Sequence, residues 1–259
     1  MDVRTPSSLE ASRGCAPGVR ARAAEDTQRV SRGCERTITI AGTELLADLS
    51  GALLWPDEGM LVVADLHLEK GSAFATHGVL LPPYDSAATL ERLAWVVAYH
   101  NPRIVVALGD SVHDRKGWAR LDAEDRAALA SLQRGRDWLW LAGNHDPEPG
   151  RGIGGEFVQS LACGKLQFRH EPAAAPAVGE VAGHLHPSAR ISQRGRTLIR
   201  RCFAANGERV ILPAFGAYAG GLNIRDDAFL NVFGSLSFKA HLIGDRDIYM
   251  LPASRCLGW

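Results

Sequence analysis

The chain has 259 residues, with 29 Lys plus Arg balanced by 29 Asp plus Glu, and five cysteines. This length suffices for a sizeable buried core without disulfide bonds, and the balanced charge excludes a general electrostatic attraction to nucleic acid or anionic membranes. The sequence has no apolar run near the roughly 18 residues of a membrane span. We therefore expect no membrane contact. The five cysteines form no C-x-x-C pair, which predicts a cytoplasmic protein in a reducing environment; they are Cys15, Cys34, Cys163, Cys202 and Cys256.

The first 36 residues are rich in Arg, Ala, Ser and Gly, and they show neither the apolar core of a secretory signal nor a helix or strand period. We expect residues 1–36 to form a disordered tail and residues 37–259 to form a single domain. The acidic residues Glu10, Glu25, Asp26 and Glu35 disfavour an organelle transit peptide. A start codon assigned too far upstream would explain the same composition.

Strands and helices alternate in the first half of the predicted domain. A hairpin around Gly42 joins strands at 37–40 and 44–47, and apolar runs at 60–64, 104–108 and 138–141 predict buried strands. Helices fall between them, one from a cap at Asp85 through residue 98 and one from a cap at Asp122 to about Gln133. This alternation predicts an α/β fold with right-handed crossovers and a mainly parallel sheet.

The second half changes to short β runs separated by Gly and Pro turns. They lie at 166–168, 178–182, 197–203, 210–212 and 248–251. This pattern predicts an antiparallel sheet that packs on the first sheet.

Polar residues able to bind a metal follow the predicted strands. In chain order they are Asp65, His67, Asp110, Asn144, His145, His170, His184 and His186. Because ligands of open α/β sheets bind beyond the carboxyl ends of the strands, we expect these side chains to converge there. Imidazole, carboxylate and amide ligands together suit ions such as Mn, Fe or Zn, with manganese our first expectation.

Two ions in one site require a shared ligand, and Asp110 can bridge them with its two carboxylate oxygens. A water held between two cations becomes hydroxide near neutral pH. The same ions neutralise charge on a phosphate during in-line displacement. The residues therefore favour two-metal hydrolysis of a phosphate ester, with a metal-bridging hydroxide as the nucleophile.

The ordered motifs resemble the calcineurin-like metallophosphoesterase superfamily. They are Asp65-Leu66-His67, Gly109-Asp110, Gly143-Asn144-His145-Asp146, His170 and Gly183-His184-Leu185-His186. Longer phrases, 64–71, 109–114 and 213–223, resemble a bacterial branch, the ligase-associated DNA damage response endonucleases. The resemblance implies two packed mixed β-sheets flanked by helices, in a four-layer α/β/β/α sandwich.

The resemblance also implies roles for individual residues. The first metal would be held by Asp65, His67, Asp110 and His186, and the second by Asp110, Asn144, His170 and His184. His145 would donate to a phosphate oxygen or protonate the leaving oxygen, with Asp146 orienting its ring. One departure is that His113 occupies the position where the superfamily usually has an acid, and the acid follows at Asp114. We expect His113 to contact the substrate and Asp114 to orient neighbouring groups.

Arginines are concentrated between residues 190 and 201, with no acidic residue among them. Arginine binds phosphodiester oxygens in a bidentate manner, so Arg190, Arg194 and Arg196 are candidate substrate contacts. A solvated strand face is an equally good interpretation.

Three functions follow from these patterns. The first is a phosphodiesterase acting as a DNA endonuclease in DNA repair, beside a DNA ligase and a helicase, as the branch resemblance implies. The second is a phosphatase or pyrophosphatase acting on a small nucleotide or sugar phosphate, because one metal core serves many esters. The third is a non-catalytic interaction module on the same fold, which the complete ligand set disfavours.

Overall fold

The computed structural model describes residues 36–148, 150–235 and 237–258. The predicted tail, residues 1–36, lies outside the described residues except for Arg36, where the first strand begins. Within the described ranges, no helix is both long and apolar enough to cross a bilayer.

The first sheet has seven strands whose spatial order follows the chain. They are β1 (Arg36–Ile40), β2 (Thr43–Ala47), β3 (Leu53–Trp55), β4 (Met60–Val63), β5 (Ile104–Ala107), β6 (Asp137–Leu141) and β7 (Glu156–Val158). The strands β1 to β4 pair antiparallel, and the predicted hairpin of β1 and β2 is confirmed. From β4 to β7 the pairing is parallel, as the strand and helix alternation predicts.

The helices are α1 (Lys70–Ala75), α2 (Asp85–His100), α3 (Gly117–Arg120), α4 (Ala123–Gln133) and α5 (Asp227–Phe233). The cap predicted for α4 is present, because the Asp122 carboxylate accepts from the Asp125 amide at 2.8 Å. The cap predicted for α2 is wrong. Asp85 is the first helical residue, and its carboxylate instead accepts from the amide of Gly71 at 3.1 Å, which ties α2 to α1.

The second sheet contains nine strands and is mixed. They are β8 (Leu161–Cys163), β9 (Leu166–Arg169), β10 (Glu180–Ala182), β11 (Pro187–Gln193), β12 (Arg196–Ala205), β13 (Arg209–Ile211), β14 (Leu222–Asn223), β15 (Lys239–Ile243) and β16 (Ile248–Pro252). The prediction of a purely antiparallel sheet is wrong, because β10 runs parallel to both β9 and β13. The connection at 170–179 is long enough to return the chain to the starting edge before β10.

Three hydrophobic clusters make this a four-layer sandwich. Between the sheets, the rings of Trp55 and Phe168 stack with centroids 6.4 Å apart. On the outer face of the first sheet, Leu93 of α2 and Leu129 of α4 are buried. On the outer face of the second sheet, Phe229 of α5 belongs to the third cluster. The fold predicted from the resemblance, helices outside two packed sheets, is therefore confirmed.

Candidate metal centre

The seven predicted metal ligands come together where strands of both sheets end. In the described residues, the acidic and histidine ligands form two groups, each with its ligand atoms within 4.8 Å of one another. The Asp65 group comprises Asp65, His67 and His186, and the Asp110 group comprises Asp110, His170 and His184. Asp65 and Asp110 follow the parallel strands β4 and β5, whose shared register brings their carboxyl ends to one edge.

The Asp65 group is largely buried. The Nε2 atoms of His67 and His186 lie 3.2 Å apart, and the Nε2 atom of His186 lies 3.3 Å from Oδ1 of Asp65. Asp65 itself is 0% exposed, and its two carboxylate oxygens accept from the amide of His184 at 3.2 and 3.0 Å. The amide of His184 therefore fixes the carboxylate of Asp65, and the rings of His67 and His186 face this carboxylate from within the site.

The Asp110 group has the same arrangement. The Nδ1 atom of His184 lies 3.2 Å from Nε2 of His170, which in turn lies 3.4 Å from Oδ1 of Asp110. The side-chain oxygen of Asn144 lies 2.8 Å from the same His170 nitrogen. Asn144 thus lies beside the Asp110 group, and its role as a ligand stays a prediction.

Backbone geometry turns these side chains toward one another. Five of the ligands have left-handed backbone conformations, with φ of 55° at Asp65, 43° at His67, 47° at Asp110, 68° at His184 and 45° at His186. Residues other than glycine rarely adopt this region, and each instance costs on the order of 1–3 kcal/mol. The loops store this strain where the ligands converge, which is typical of a functional site.

The absence of a side chain at Gly143 permits the close approach of its loop to the loop that carries Asp110. A Cβ atom at Gly143 would lie 2.2 Å from the amide nitrogen of Asp110 and 2.3 Å from its Oδ1. The Gly-Asn-His-Asp motif therefore begins with glycine because the Asp110 loop fills the space that any side chain would need.

Hydrogen bonds to backbone carbonyls fix the histidine tautomers. His170 uses Nδ1 to donate to the carbonyl of Leu108 at 2.7 Å, and His145 uses Nδ1 to donate to the carbonyl of His113 at 2.6 Å. In each ring this directs Nε2 to the site, where His170 can bind a metal ion and His145 can exchange a proton.

The electrostatic field of the site favours positive charge. Burial lowers the pKa of His170, but the hydrogen bond to Asp110 and the charges of Asp65 and Asp110 outweigh it and raise that pKa to about 9. Burial raises the pKa of Asp110, but the hydrogen bond and charge of His170 outweigh it and lower that pKa to about 2. Burial lowers the pKa of His67 to about 3, so this ring is neutral and can act as a ligand.

The donor atoms fit divalent cations. Two imidazole nitrogens bound to one ion at about 2.1 Å lie roughly 3.0–3.4 Å apart in octahedral or tetrahedral geometry. The pairs of nitrogens at 3.2 Å in both groups match this separation. The mixture of imidazole, carboxylate and amide donors suits Mn, Fe or Zn.

Two further histidines form one side of the site. The rings of His113 and His145 stack with centroids 5.3 Å apart, and the ring of His67 lies 5.5 Å from His113 and 5.3 Å from His145. Burial, followed by the charge of Lys70, lowers the pKa of His113. Phe74 packs beside His113 at 5.6 Å between ring centroids. Sequence reasoning missed Lys70 and Phe74, because neither falls in a metal-binding motif.

The predicted role of Asp146 needs correction. Its buried carboxylate accepts from the backbone amides of Ser111, Val112 and Gly143, at 2.8, 3.4 and 3.2 Å, while the His145 ring is held by a carbonyl. Asp146 therefore joins two ligand-bearing loops. Burial raises its pKa to about 7, although the amides of Ser111 and Val112 act in the opposite direction.

Asp114, expected to orient neighbouring groups, forms a bidentate pair with Arg120 at 3.0 and 2.8 Å. The guanidinium of Arg120 also donates to Ser72 of α1 at 2.8 Å. Asp114 thus connects the loop after β5 to α1, at the side of the site that carries Phe74.

The candidate arginines lie along the hairpin of β11 and β12. Arg190 donates to the carbonyl of Gly258 at 3.0 Å, and Arg194 and Arg196 lie exposed at the tip. The strand β11 runs seven residues from Pro187, so at about 3.3 Å per residue the tip lies roughly 20 Å along it from His186. Their contact with substrate stays a prediction.

The fold and the two donor groups define a metal-dependent phosphoesterase. The model of the calcineurin-like phosphoesterase family matches residues 60–212, which include every ligand of both groups. The chain belongs to this family, and the superfamily resemblance noted in its motifs is confirmed.

Two solved structures are similar to this chain, and the first of them shares its fold. The nuclease MPE of Pseudomonas putida is 24% identical, with 84% of this chain and 100% of that chain covered and a TM-score of 0.65. The phosphoesterase YfcE of E. coli is 15% identical, with 75% of this chain and 98% of that chain covered and a TM-score of 0.37. No curated protein sequence matches the chain.

Proposed function

We propose that this protein is a two-metal phosphodiesterase that cleaves DNA, with a role in DNA repair. The observation that carries the proposal is the position of Asp110 between two donor groups. Its Oδ2 atom lies 4.0 Å from Nε2 of His67, and its Oδ1 atom lies 3.4 Å from Nε2 of His170. One carboxylate oxygen therefore faces each group, as a bridging ligand requires.

Each group would hold one divalent ion, with manganese our first choice. Asp65, His67, His186 and Asp110 would hold the first ion, and Asp110, Asn144, His170 and His184 the second. When bound, two such ions supply an acidified water and neutralise charge on the phosphate. The protein's own contribution is a buried, pre-formed donor set that does not reorganise during the reaction.

His145 is the proposed proton donor to the leaving oxygen. Its side chain is 38% exposed, and its Nε2 atom lies 3.8 Å from Oδ2 of Asp110, so the ring stands at the open side of the site. The carbonyl of His113 holds the other ring nitrogen and fixes the orientation. The ring of His113 stacks on His145 and would contact a substrate phosphate or sugar from the same side.

The choice of DNA rests on the motif phrases that resemble ligase-associated endonucleases, and a functional link to a ligase and a helicase is part of the same proposal. The fold is shared with a protein that is a nuclease. A nucleic-acid strand also fits a site whose proton donor is exposed, because a long substrate cannot enter an enclosed pocket.

The test compares three substrates with purified, Mn-loaded protein. We expect hydrolysis of bis(p-nitrophenyl) phosphate and of oligonucleotides, and little hydrolysis of a panel of nucleotide monophosphates. Preferred turnover of the monophosphates would replace the proposal with a small-molecule phosphatase. Fewer than one bound metal ion per chain, with no turnover of any ester, would contradict catalysis by this site altogether.

A further inference from the structure

A cavity of about 450 Å³ lies beside the metal centre and contains none of the seven ligands. Its walls come from the loop after β5 with α3, from α4, and from the loop after β6. We call it the arginine cleft; the charged residues that line it are Arg115, Arg126, Arg151, Asp146 and Glu148.

The balance of charge in the arginine cleft is positive. Asp146 is buried, and its carboxylate accepts hydrogen bonds from three backbone amides, which offset its negative charge. Glu148 remains as one carboxylate against three guanidinium groups. An anion entering the cleft therefore meets a net attraction.

The guanidinium groups differ in how firmly they are held. Arg126 donates to the carbonyl oxygens of Leu121 and Trp118, which hold its planar group at the wall of the cleft. Arg115 and Arg151 are exposed on two different loops. One guanidinium held at the wall and two exposed ones that line the same cleft can together bind an anion, and guanidinium binds phosphate oxygens in a bidentate manner.

The arginine cleft adjoins the proposed proton donor through shared loops. Asp146 directly follows His145, and Arg115 lies two residues after His113, whose carbonyl accepts from the His145 ring. Two residues span at most about 7 Å. A strand of nucleic acid carries a phosphate every ~3.4 Å along its axis in a helix, so a strand reacting at His145 has further phosphates within reach of the cleft.

We propose that the arginine cleft binds a phosphate neighbouring the scissile one, so that the enzyme selects polynucleotide strands over small diesters. This inference rests on the proposed function, and it assigns substrate selection to Arg115 and Arg151 in place of the distant hairpin tip. Contacts to phosphates position a strand without reading its sequence, so we expect selection by length and not by base.

The experiment uses the double variant Arg115→Gln/Arg151→Gln in the Mn-loaded protein. For a single-stranded oligonucleotide of about 20 nucleotides, we expect kcat/KM to fall about tenfold, mainly through KM. For bis(p-nitrophenyl) phosphate, which has no second phosphate, we expect a change of less than about twofold. The slope of log affinity against log salt should become shallower by about 0.7, since the contact with one phosphate is lost.

The matched control is Arg103→Gln/Arg134→Gln, which removes the same charge from exposed arginines at the amino edge of the first sheet. It should leave both activities unchanged. Equal losses on both substrates, or no loss on the oligonucleotide, would overturn the proposal.

A binding measurement separates this inference from the proposed function. Fluorescence anisotropy of a labelled oligonucleotide with Mn-loaded protein that also carries His145→Gln should show weaker binding when Arg115 and Arg151 are replaced. If the wild-type protein hydrolyses no diester, the proposed function is rejected. The proposal that the arginine cleft binds phosphate is then tested by this binding comparison alone. Identical affinities for the cleft variant and the control variant would reject the cleft.

Discussion

Asp110 lies 3.4 Å from His170 through Oδ1, and the opposite oxygen of the same carboxylate faces the other donor group. The amide of His145 also donates to Oδ1 at 2.9 Å, which fixes the rotation of the carboxylate. One buried side chain therefore couples the two groups of ligands, and its removal should act on both.

We predict that Asp110→Asn weakens binding of both ions at least tenfold, because the amide has one oxygen and no charge. The single-site variants His67→Ala and His184→Ala should each lose one ion. Metal content after dialysis, measured by inductively coupled plasma mass spectrometry, distinguishes these cases. The control Asp57→Asn lies in an exposed turn between β3 and β4 and should keep the wild-type content.

Loss of a single ion from the Asp110 variant would contradict the bridging arrangement. Such a result would assign Asp110 to the group of His170 alone, since that contact is the shorter one.

Replacement of His145 should separate chemistry from metal binding. We predict that His145→Gln lowers kcat on a diester by about 10²–10⁴, the usual contribution of a general acid, while metal content stays at the wild-type level. Single-turnover kinetics with Mn measure the chemical step directly. The variant His77→Gln, at an exposed histidine beyond α1, should leave the rate unchanged. A His145 variant that keeps its rate would exclude a role in proton transfer.

The first half of the fold was predictable because its strands are continuous apolar runs. β4, β5 and β6 are buried, and parallel strands covered on both faces keep an apolar sequence throughout. Other strands have no such continuous apolar run in the sequence. β11 combines a leading proline with an exposed, polar end, and β14 has only two residues and pairs with β11, which lies far from it in the sequence.

The residues that come together at the candidate site were predictable from the sequence, but the groups that support them were not. Side chains such as Asp65 and His184 can be recognised as candidate ligands from their residue type. The residue types of Leu108 and His113 do not reveal that their backbone carbonyl groups hold histidine rings. Asp146 illustrates the same limit. The family resemblance implied that it orients the ring of His145, but its carboxylate meets backbone amides instead.

The stability of the protein should depend on pH through Asp125 in the first turn of α4. Burial, followed by the charges of Asp122, Glu69, Asp85 and Glu124, raises the pKa of Asp125 to about 6. A carboxyl group with a raised pKa holds its proton more tightly in the folded protein than in the unfolded chain. Its contribution to stability is therefore complete below about pH 4 and is lost as pH rises through about 6.

We predict that Asp125→Asn raises the melting temperature at pH 7.5 and leaves it unchanged at pH 4. The favourable effect of a negative charge near a helix N-terminus opposes this gain, but the raised pKa shows that burial and repulsion outweigh it. Thermal unfolding at the two pH values gives the difference. A variant less stable than wild type at pH 7.5 would show that the helix dipole dominates.

The buried ion pair of Arg209 and Glu180 should be the most sensitive point of the second sheet. The two residues are 1% and 3% exposed, and the nitrogen and oxygen atoms that face each other lie 3.4 Å apart. Arg209 also donates to the carbonyls of Ala173 and Val232, and so joins β13 to the end of α5. Removal of Arg209 leaves the buried Glu180 carboxylate with only the partly exposed Arg169, 3.7 Å away, and breaking a buried pair typically costs about 3–5 kcal/mol.

We therefore predict that Arg209→Met lowers the free energy of unfolding by about 3–5 kcal/mol. The double variant Arg209→Met/Glu180→Gln should recover part of this loss, because the glutamine keeps an oxygen for the amide of Ala173, which now donates to Glu180 at 2.9 Å, and carries no charge. Urea denaturation of the wild type, both single variants and the double variant completes a mutant cycle. Additive losses in that cycle would mean that the two charges do not interact, and that Arg209 stabilises the sheet only through its hydrogen bonds to the two carbonyl groups.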